Sequence, residues 1–190
     1  MANTASVTAA LRRAGADPHF VEDPDEIDEL DRVVVPGVGS FEAGMEALAA
    51  LGVIDPLIDR IEGGRPTLLV CLGMQLLGSS SDESPGVEGL AIIEQHVGRF
   101  PEGVRTPQFG WNIVEPIEEM NHLETGYAYF ANSFRFYEPP AGWRCAIAKH
   151  GGPFVAAMER EDVLACQFHP ELSGSFGQSV IDRWIEGIDR

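Results

Sequence analysis

Residues 67–75 read Thr-Leu-Leu-Val-Cys-Leu-Gly-Met-Gln, a short apolar run that passes through a cysteine directly into residues suited to a helix, 72–77. Four or five apolar residues are too few for a helix of their own and read as a strand. Upstream, residues 31–36 contain Val33, Val34 and Val35 in an unbroken β-branched run bounded by Gly37. Such a run predicts a strand buried on both faces, which favours a parallel sheet. Between the two strands, Phe41–Leu51 and residues 54–61 carry helical patterns, and strand alternating with helix is the α/β signature. The chain opens on a helix over residues 4–14, with Val7, Ala10, Leu11 and Ala14 on one stripe and Gly15 as its stop.

An exposed loop follows the helix of residues 72–77, and from Ala91 onward the character changes. Residues 78–89 are rich in Ser, Gly, Asp and Glu with little to bury, and predict an exposed loop. Residues 92–100, 126–134, Arg144–Lys149, 154–158 and 163–168 predict strands separated by Gly and Pro turns, a largely antiparallel section folded against the parallel sheet. Residues 175–189 close the chain as a helix with Val180, Ile181, Trp184 and Ile188 on one side. No repeat, low-complexity tract or linker interrupts the chain, so residues 1–190 are expected to form one α/β domain around an open mixed sheet.

Hydrophobic residues make up 44% of the 190 and charged residues 23%, the balance of a folding globular chain. The formal charge of -17 comes from 30 acidic against 13 basic side chains, dispersed along the chain, which makes nucleic acid and anionic membranes poor partners. Three cysteines, Cys71, Cys145 and Cys166, form no C-x-x-C pair, which argues against a disulfide framework and a zinc site and for a reducing compartment. No apolar run is long enough to span a bilayer and no signal peptide opens the chain, so the expected location is the cytoplasm.

Chemistry concentrates where the strand of residues 67–71 meets its helix. A side chain at such a junction stands above the sheet edge, and the free N–H groups of the helix start favour a negative sulfur at Cys71. An arbitrary cysteine is more often a small buried hydrophobe. Against that reading stands Gln167-Phe168-His169-Pro170-Glu171, at the end of a later strand. The proline stops ladder pairing, so His169 and Glu171 can project the same way, an imidazole with its own carboxylate orienter. Cysteine, base and orienter form a triad by role. Pro36-Gly37-Val38-Gly39-Ser40-Phe41 follows the valine strand, at the end that lines the crevice of an open α/β sheet. Taken alone it is a strand-to-helix turn; beside a triad, backbone at Gly37 and Val38 with the amide of Leu72 becomes a candidate oxyanion hole.

These residues resemble the class I (triad) glutamine amidotransferases, whose nucleophile elbow carries Cys and whose triad closes with His-Pro-Glu. Within that family the chain is similar to the glutaminase subunits of imidazole glycerol phosphate synthase. The matching pieces run in order over nearly the whole chain: Asn3 with Ser6, residues 36–41, residues 71–75, Pro107-Gln108-Phe109-Gly110-Trp111-Asn112, residues 127–134 and residues 167–174. The resemblance implies a glutaminase acting through a Cys71 thioester with no cofactor. It implies Gly39, Gln75, Asn132, Ser133 and Phe134 as holders of L-glutamine. It further implies a heterodimer with a (β/α)8-barrel cyclase subunit that receives the ammonia, met by a face containing Asn3, Gln108, Trp111, Asn112 and Tyr129.

The chain departs from that pattern at three places. Relatives carry an apolar strand before the first helix, so with Met1 opening almost directly on the helix a parallel position of the sheet is expected to stand empty, as from a start codon assigned too late. Leu69 stands where the elbow usually has Gly, and Leu172 where many relatives have Lys after His-Pro-Glu. Two further readings stay open from sequence: another cysteine hydrolase or amidase on the same scaffold, and a non-catalytic subunit of a glutamine-dependent complex.

Overall fold

A computed structural model describes residues 4–187. The helices are α1 (Thr4–Arg13), α2 (Glu26–Glu29), α3 (Phe41–Leu51), α4 (Ile54–Glu62), α5 (Leu72–Gln75) and α6 (Gly174–Glu186). The strands are β1 (Val33–Val35), β2 (Thr67–Val70), β3 (Gly78–Ser81), β4 (Ile93–Arg99), β5 (Gln108–Pro116), β6 (Gly126–Asn132), β7 (Phe134–Arg135), β8 (Arg144–Lys149), β9 (Pro153–Arg160) and β10 (Val163–Cys166). None of the described helices is long and apolar enough to cross a membrane. The ends of α3 follow from local chemistry: the Ser40 hydroxyl accepts the Ala43 N–H at one end, and Gly52 takes the left-handed conformation (φ 70°) at the other.

A seven-stranded sheet runs β1-β2-β10-β9-β8-β5-β6. β2 pairs in parallel with β1 and with β10, and the remaining neighbours pair antiparallel. The predicted antiparallel section therefore extends the parallel sheet instead of packing against it. The decisive placement is β10, which comes from near the chain's end and lies directly beside β2, with Cys166 opposite Val70.

Side chains alternate across β2 as a strand requires. Leu68 and Val70 join the core under α1 and α6, while Leu69 joins the opposite core with Phe41, Leu57 and Ile61 from α3 and α4. The unbroken apolar run is thus explained by helices on both faces.

Several expectations need correction. The polar stretch of residues 78–89 opens as β3, which pairs in parallel with β4 in a second sheet of order β3-β4-β7, and Ser81 and Ser84 are buried. Hydroxyls satisfied by the backbone, as Ser81 is by the Val97 carbonyl, bury without the apolar signal that sequence reading relies on. β5 was not anticipated as a strand at all. The helix after Cys71 is a single turn, so its dipole is small. The closing helix is confirmed through Glu186, with Val180, Ile181 and Trp184 buried; Ile188 and Asp189 lie outside the described residues.

β1 forms the edge of the large sheet. Along it runs a groove of about 740 Å³ walled by Val7 and Leu11 of α1, Val21, and Leu48 of α3.

Candidate active site

Cys71 has φ 53° and ψ -105°, outside the regions comfortable for a residue with a side chain. Backbone held this way costs on the order of 1–3 kcal/mol and persists only where its surroundings enforce it. The surroundings here are two glycines. A Cβ on Gly73 would lie 2.4 Å from the Val35 carbonyl oxygen, and one on Gly37 would lie 2.3 Å from the Gly73 nitrogen. The turn after β1 and the elbow after β2 therefore interlock backbone against backbone, bringing Gly37 against Leu72 and Gly73. On the other side, the Cys71 N–H donates to the Cys166 carbonyl at 2.7 Å, continuing the β2–β10 ladder. Leu69 is fully buried within β2, so its bulk is accommodated in the core below the elbow.

The chain leaves β10 at Cys166, and Pro170–Leu172 forms a 3-10 turn. His169 is pinned by its backbone: its N–H donates to the Tyr129 carbonyl at 2.9 Å, and its carbonyl accepts the Ser173 hydroxyl at 2.6 Å. Ser173 Oγ in turn accepts the Tyr129 N–H at 2.9 Å. The ring is then oriented by Glu171, with Nδ1 and Oε1 2.9 Å apart. Nδ1 so engaged leaves Nε2 for the sulfur. Burial opposes charge on this imidazole, but the hydrogen bond to Cys71, then the bond to Glu171 and the charges of both, outweigh it and push His169 up to about 10. By contrast, burial pushes the Cys145 thiol up to about 12 and the fully buried Cys166 thiol well above the ordinary range. The three residues expected to form a triad thus converge at one end of the sheet. The arrangement can hold a proton on the imidazole next to a sulfur nucleophile and deliver that proton to a departing amine.

Around the triad the expected glutamine holders divide. Gly39 is left-handed (φ 112°) with open space beside it. Gln75 and Asn132 are buried, and both amides donate to the Phe134 carbonyl, at 3.1 and 3.0 Å. The Ser133 carbonyl accepts the Phe100 N–H, and the Phe134 side chain is buried. Gln75 and Asn132 therefore brace the wall of the site with these N–H groups. The large groove reaches Gly37, Val38 and Leu72 from behind but is lined by neither Cys71 nor His169.

The expected docking face is also sorted by the structure. Trp111 is exposed and stacks edge-on against the half-buried Tyr129, its partner across β5 and β6, with centroids 6.1 Å apart. Gln108 points the other way and is buried, because alternation along β5 puts it inside when Trp111 is outside. Asn112 is engaged internally, donating to the Lys149 carbonyl and accepting the Ile113 N–H. Asn3 lies outside the described residues. The sequence reading missed Phe109 and Tyr127, which are 69% and 62% exposed on the same face as Trp111; their alternation with buried Gln108 and Ala128 was the available signal. It also missed Gln167, whose amide reaches Cys71 Sγ at 3.7 Å, and Ser173. Leu172 is exposed in the turn after the triad glutamate.

A family profile described as Glutamine amidotransferase class-I matches residues 1–186. The chain is 39% identical, over 98% of its length and 94% of the relative's, to a Methanothermobacter thermautotrophicus protein named imidazole glycerol phosphate synthase subunit HisH. It is 37% identical to the Arabidopsis thaliana protein named imidazole glycerol phosphate synthase hisHF, chloroplastic, covering 96% of this chain and 32% of that one. A solved glutamine amidotransferase superposes with a TM-score of 0.76 at 22% identity, covering 96% of this chain and 92% of the other, a likeness of fold. With an elbow cysteine, a His-Pro-Glu turn, a family profile over residues 1–186 and a 39% identical relative matched over 94% of its length, the chain belongs to the class-I glutamine amidotransferases.

Proposed function

We propose that this protein is the glutaminase subunit of an imidazole glycerol phosphate synthase, releasing ammonia from L-glutamine for a cyclase partner in histidine biosynthesis. The observation that carries the reading is the hydrogen-bonded convergence of Cys71, His169 and Glu171. The Cys71 sulfur attacks the side-chain amide carbon of glutamine, and the carbonyl electrons move onto oxygen, toward backbone N–H groups of Gly37, Val38 and Leu72. His169 then gives its proton to the nitrogen as the C–N bond breaks and ammonia departs. Water, activated by the now neutral imidazole, hydrolyses the thioester to glutamate and restores the thiol. Glu171 holds the ring in place throughout. No cofactor enters this chemistry, and the free thiols suit a reducing cytoplasm.

The partner is a (β/α)8-barrel cyclase subunit docked on the aromatic face of β5 and β6. Phe109, Trp111 and Tyr127 supply exposed contact area at low entropic cost. This face adjoins the triad, since the Tyr129 backbone bonds both His169 and Ser173. A relative in which both names are joined, the hisHF protein, supports a pairing of the two activities. A non-catalytic subunit would have no use for an imidazole bonded to the elbow sulfur.

The test is glutamate release by the assembled complex with the cyclase's nucleotide ligand present. Cys71→Ala is expected to abolish it, and persistence of release in that variant overturns the assignment.

A further inference from the structure

One buried side chain touching the elbow sulfur is not part of the triad. Gln167 sits between Cys166 and the His169 turn, has no exposed surface, and is held by its backbone N–H to the Ala156 carbonyl at 2.8 Å. Its side-chain amide lies between two groups: Cys71 Sγ at 3.7 Å and Gln75 Nε2 at 2.9 Å.

The orientation of that amide follows from what lies beyond it. Gln75 Nε2 meets two acceptors, the Gln167 side-chain oxygen and the Phe134 carbonyl at 3.1 Å. A backbone carbonyl can only accept, so the NH2 end of Gln75 must face it; the reverse orientation would set oxygen against oxygen. Gln75 then presents a donor to Gln167, which answers with its oxygen. The NH2 of Gln167 is left facing the sulfur. Asn132 braces the same Phe134 carbonyl from another direction, with Nδ2 at 3.0 Å. The chain of dipoles thus runs one way, from the Phe134 carbonyl through Gln75 to Gln167, and ends as a donor on Sγ. A donor aimed at a sulfur favours its anionic form, and the effect is strengthened in a buried setting.

We propose that Gln167 is a catalytic residue of the glutaminase reaction, donating an N–H to the Cys71 thiolate, and that Gln75 is its positioning residue, fixing the direction in which the Gln167 amide points. This rests on Cys71 being the nucleophile. Gln75 is thereby a member of the nucleophile's support through its amide NH2.

The experiment follows alkylation of Cys71 by iodoacetamide between pH 5 and 10 in the intact protein, with Cys71→Ala as the blank and circular dichroism as the check on folding. Gln167→Met removes the donor while keeping the volume, and Gln167→Glu replaces it with a negative acceptor. The pH of half-maximal alkylation should rise from the parent to Gln167→Met and further to Gln167→Glu. A rise of about one unit lowers the alkylation rate below the midpoint about tenfold. Gln75→Glu should give a shift in the same direction without touching Gln167, because a carboxylate there turns the Gln167 amide so that its oxygen faces the sulfur. It carries the comparison if either Gln167 variant fails to fold.

Coincident profiles for parent and folded variants overturn the proposal. So do equal shifts for the Met and Glu variants, which would indicate packing alone. Neither result bears on glutamate release by the Cys71→Ala complex, so failure of the relay and failure of the glutaminase reading are separately visible.

Discussion

The charge state of His169 gives the sharpest prediction. Against an ordinary value of 6.5, the ring is pushed up to about 10. At 1.36 kcal/mol per unit, this difference corresponds to about 5 kcal/mol in favour of the imidazolium. Burial works against the charged ring, so the partners supply more than this net amount, with the bond to Cys71 first and that to Glu171 second. Removing the sulfur in Cys71→Ala leaves Glu171 alone against burial, and the titration midpoint should fall. Glu171→Gln keeps an acceptor at Nδ1 but loses the charge, and should lower the midpoint by less. Long-range ¹H–¹⁵N spectra of the imidazoles over pH 5–11, assigned with a His169→Gln variant, read this directly. Because the folded value lies above the unfolded one, His169 contributes stability that is fully present below pH 6.5 and is lost as pH rises through about 10. Urea unfolding across that window should show a smaller total loss, complete at lower pH, in Cys71→Ala. A ring that titrates near 6.5 in the parent protein, or at the same pH with and without the sulfur, refutes the reasoning.

Further outcomes follow from the same structure. Native protein at neutral pH should take up one equivalent of iodoacetamide and Cys71→Ala none, because burial holds the Cys145 and Cys166 thiols neutral; a second modified cysteine without denaturant contradicts this. Gly37→Ala should slow glutamate release by roughly 10² or more, since its Cβ would lie 2.3 Å from the Gly73 nitrogen and must displace the elbow; an unchanged rate would show that this contact does not set the site. Arg60→Met should cost about 3 kcal/mol in urea unfolding. The buried guanidinium donates to the carbonyls of Ile27, Leu30, Asp31 and Pro66, and of these Pro66 also accepts the Val33 N–H. A loss below about 1 kcal/mol would mean that solvent reaches the freed carbonyls.

Local signals in the chain were sufficient for much of the fold. Helix α3 was legible because Ser40 and Gly52 mark its ends within their own neighbourhood. β1 and β2 were legible because strands covered by helices on both faces read as unbroken apolar runs. β3 was hidden by its hydroxyl side chains, which bury by bonding to backbone. β5 was hidden because its outward residues, Phe109 and Trp111, are themselves aromatic, so apolar residues on the solvent side blur the alternation. Gln108 was assigned to the docking face because its phase along β5 depends on which neighbour that strand pairs with.

From its sequence alone this protein is determined as an α/β chain with a cysteine elbow and a His-Pro-Glu turn, since each is written in contiguous residues whose conformations their own side chains and glycines dictate. Only the tertiary structure decided that these pieces meet. β10 enters the sheet beside β2, in parallel and with Cys166 opposite Val70, so that both strands end at the same edge and Cys71 and His169 emerge together. The same pairing turns Gln167 toward the sulfur. Such neighbours are selected by the burial of both sheet faces over the whole chain, a sum over distant contacts that no short stretch of residues contains.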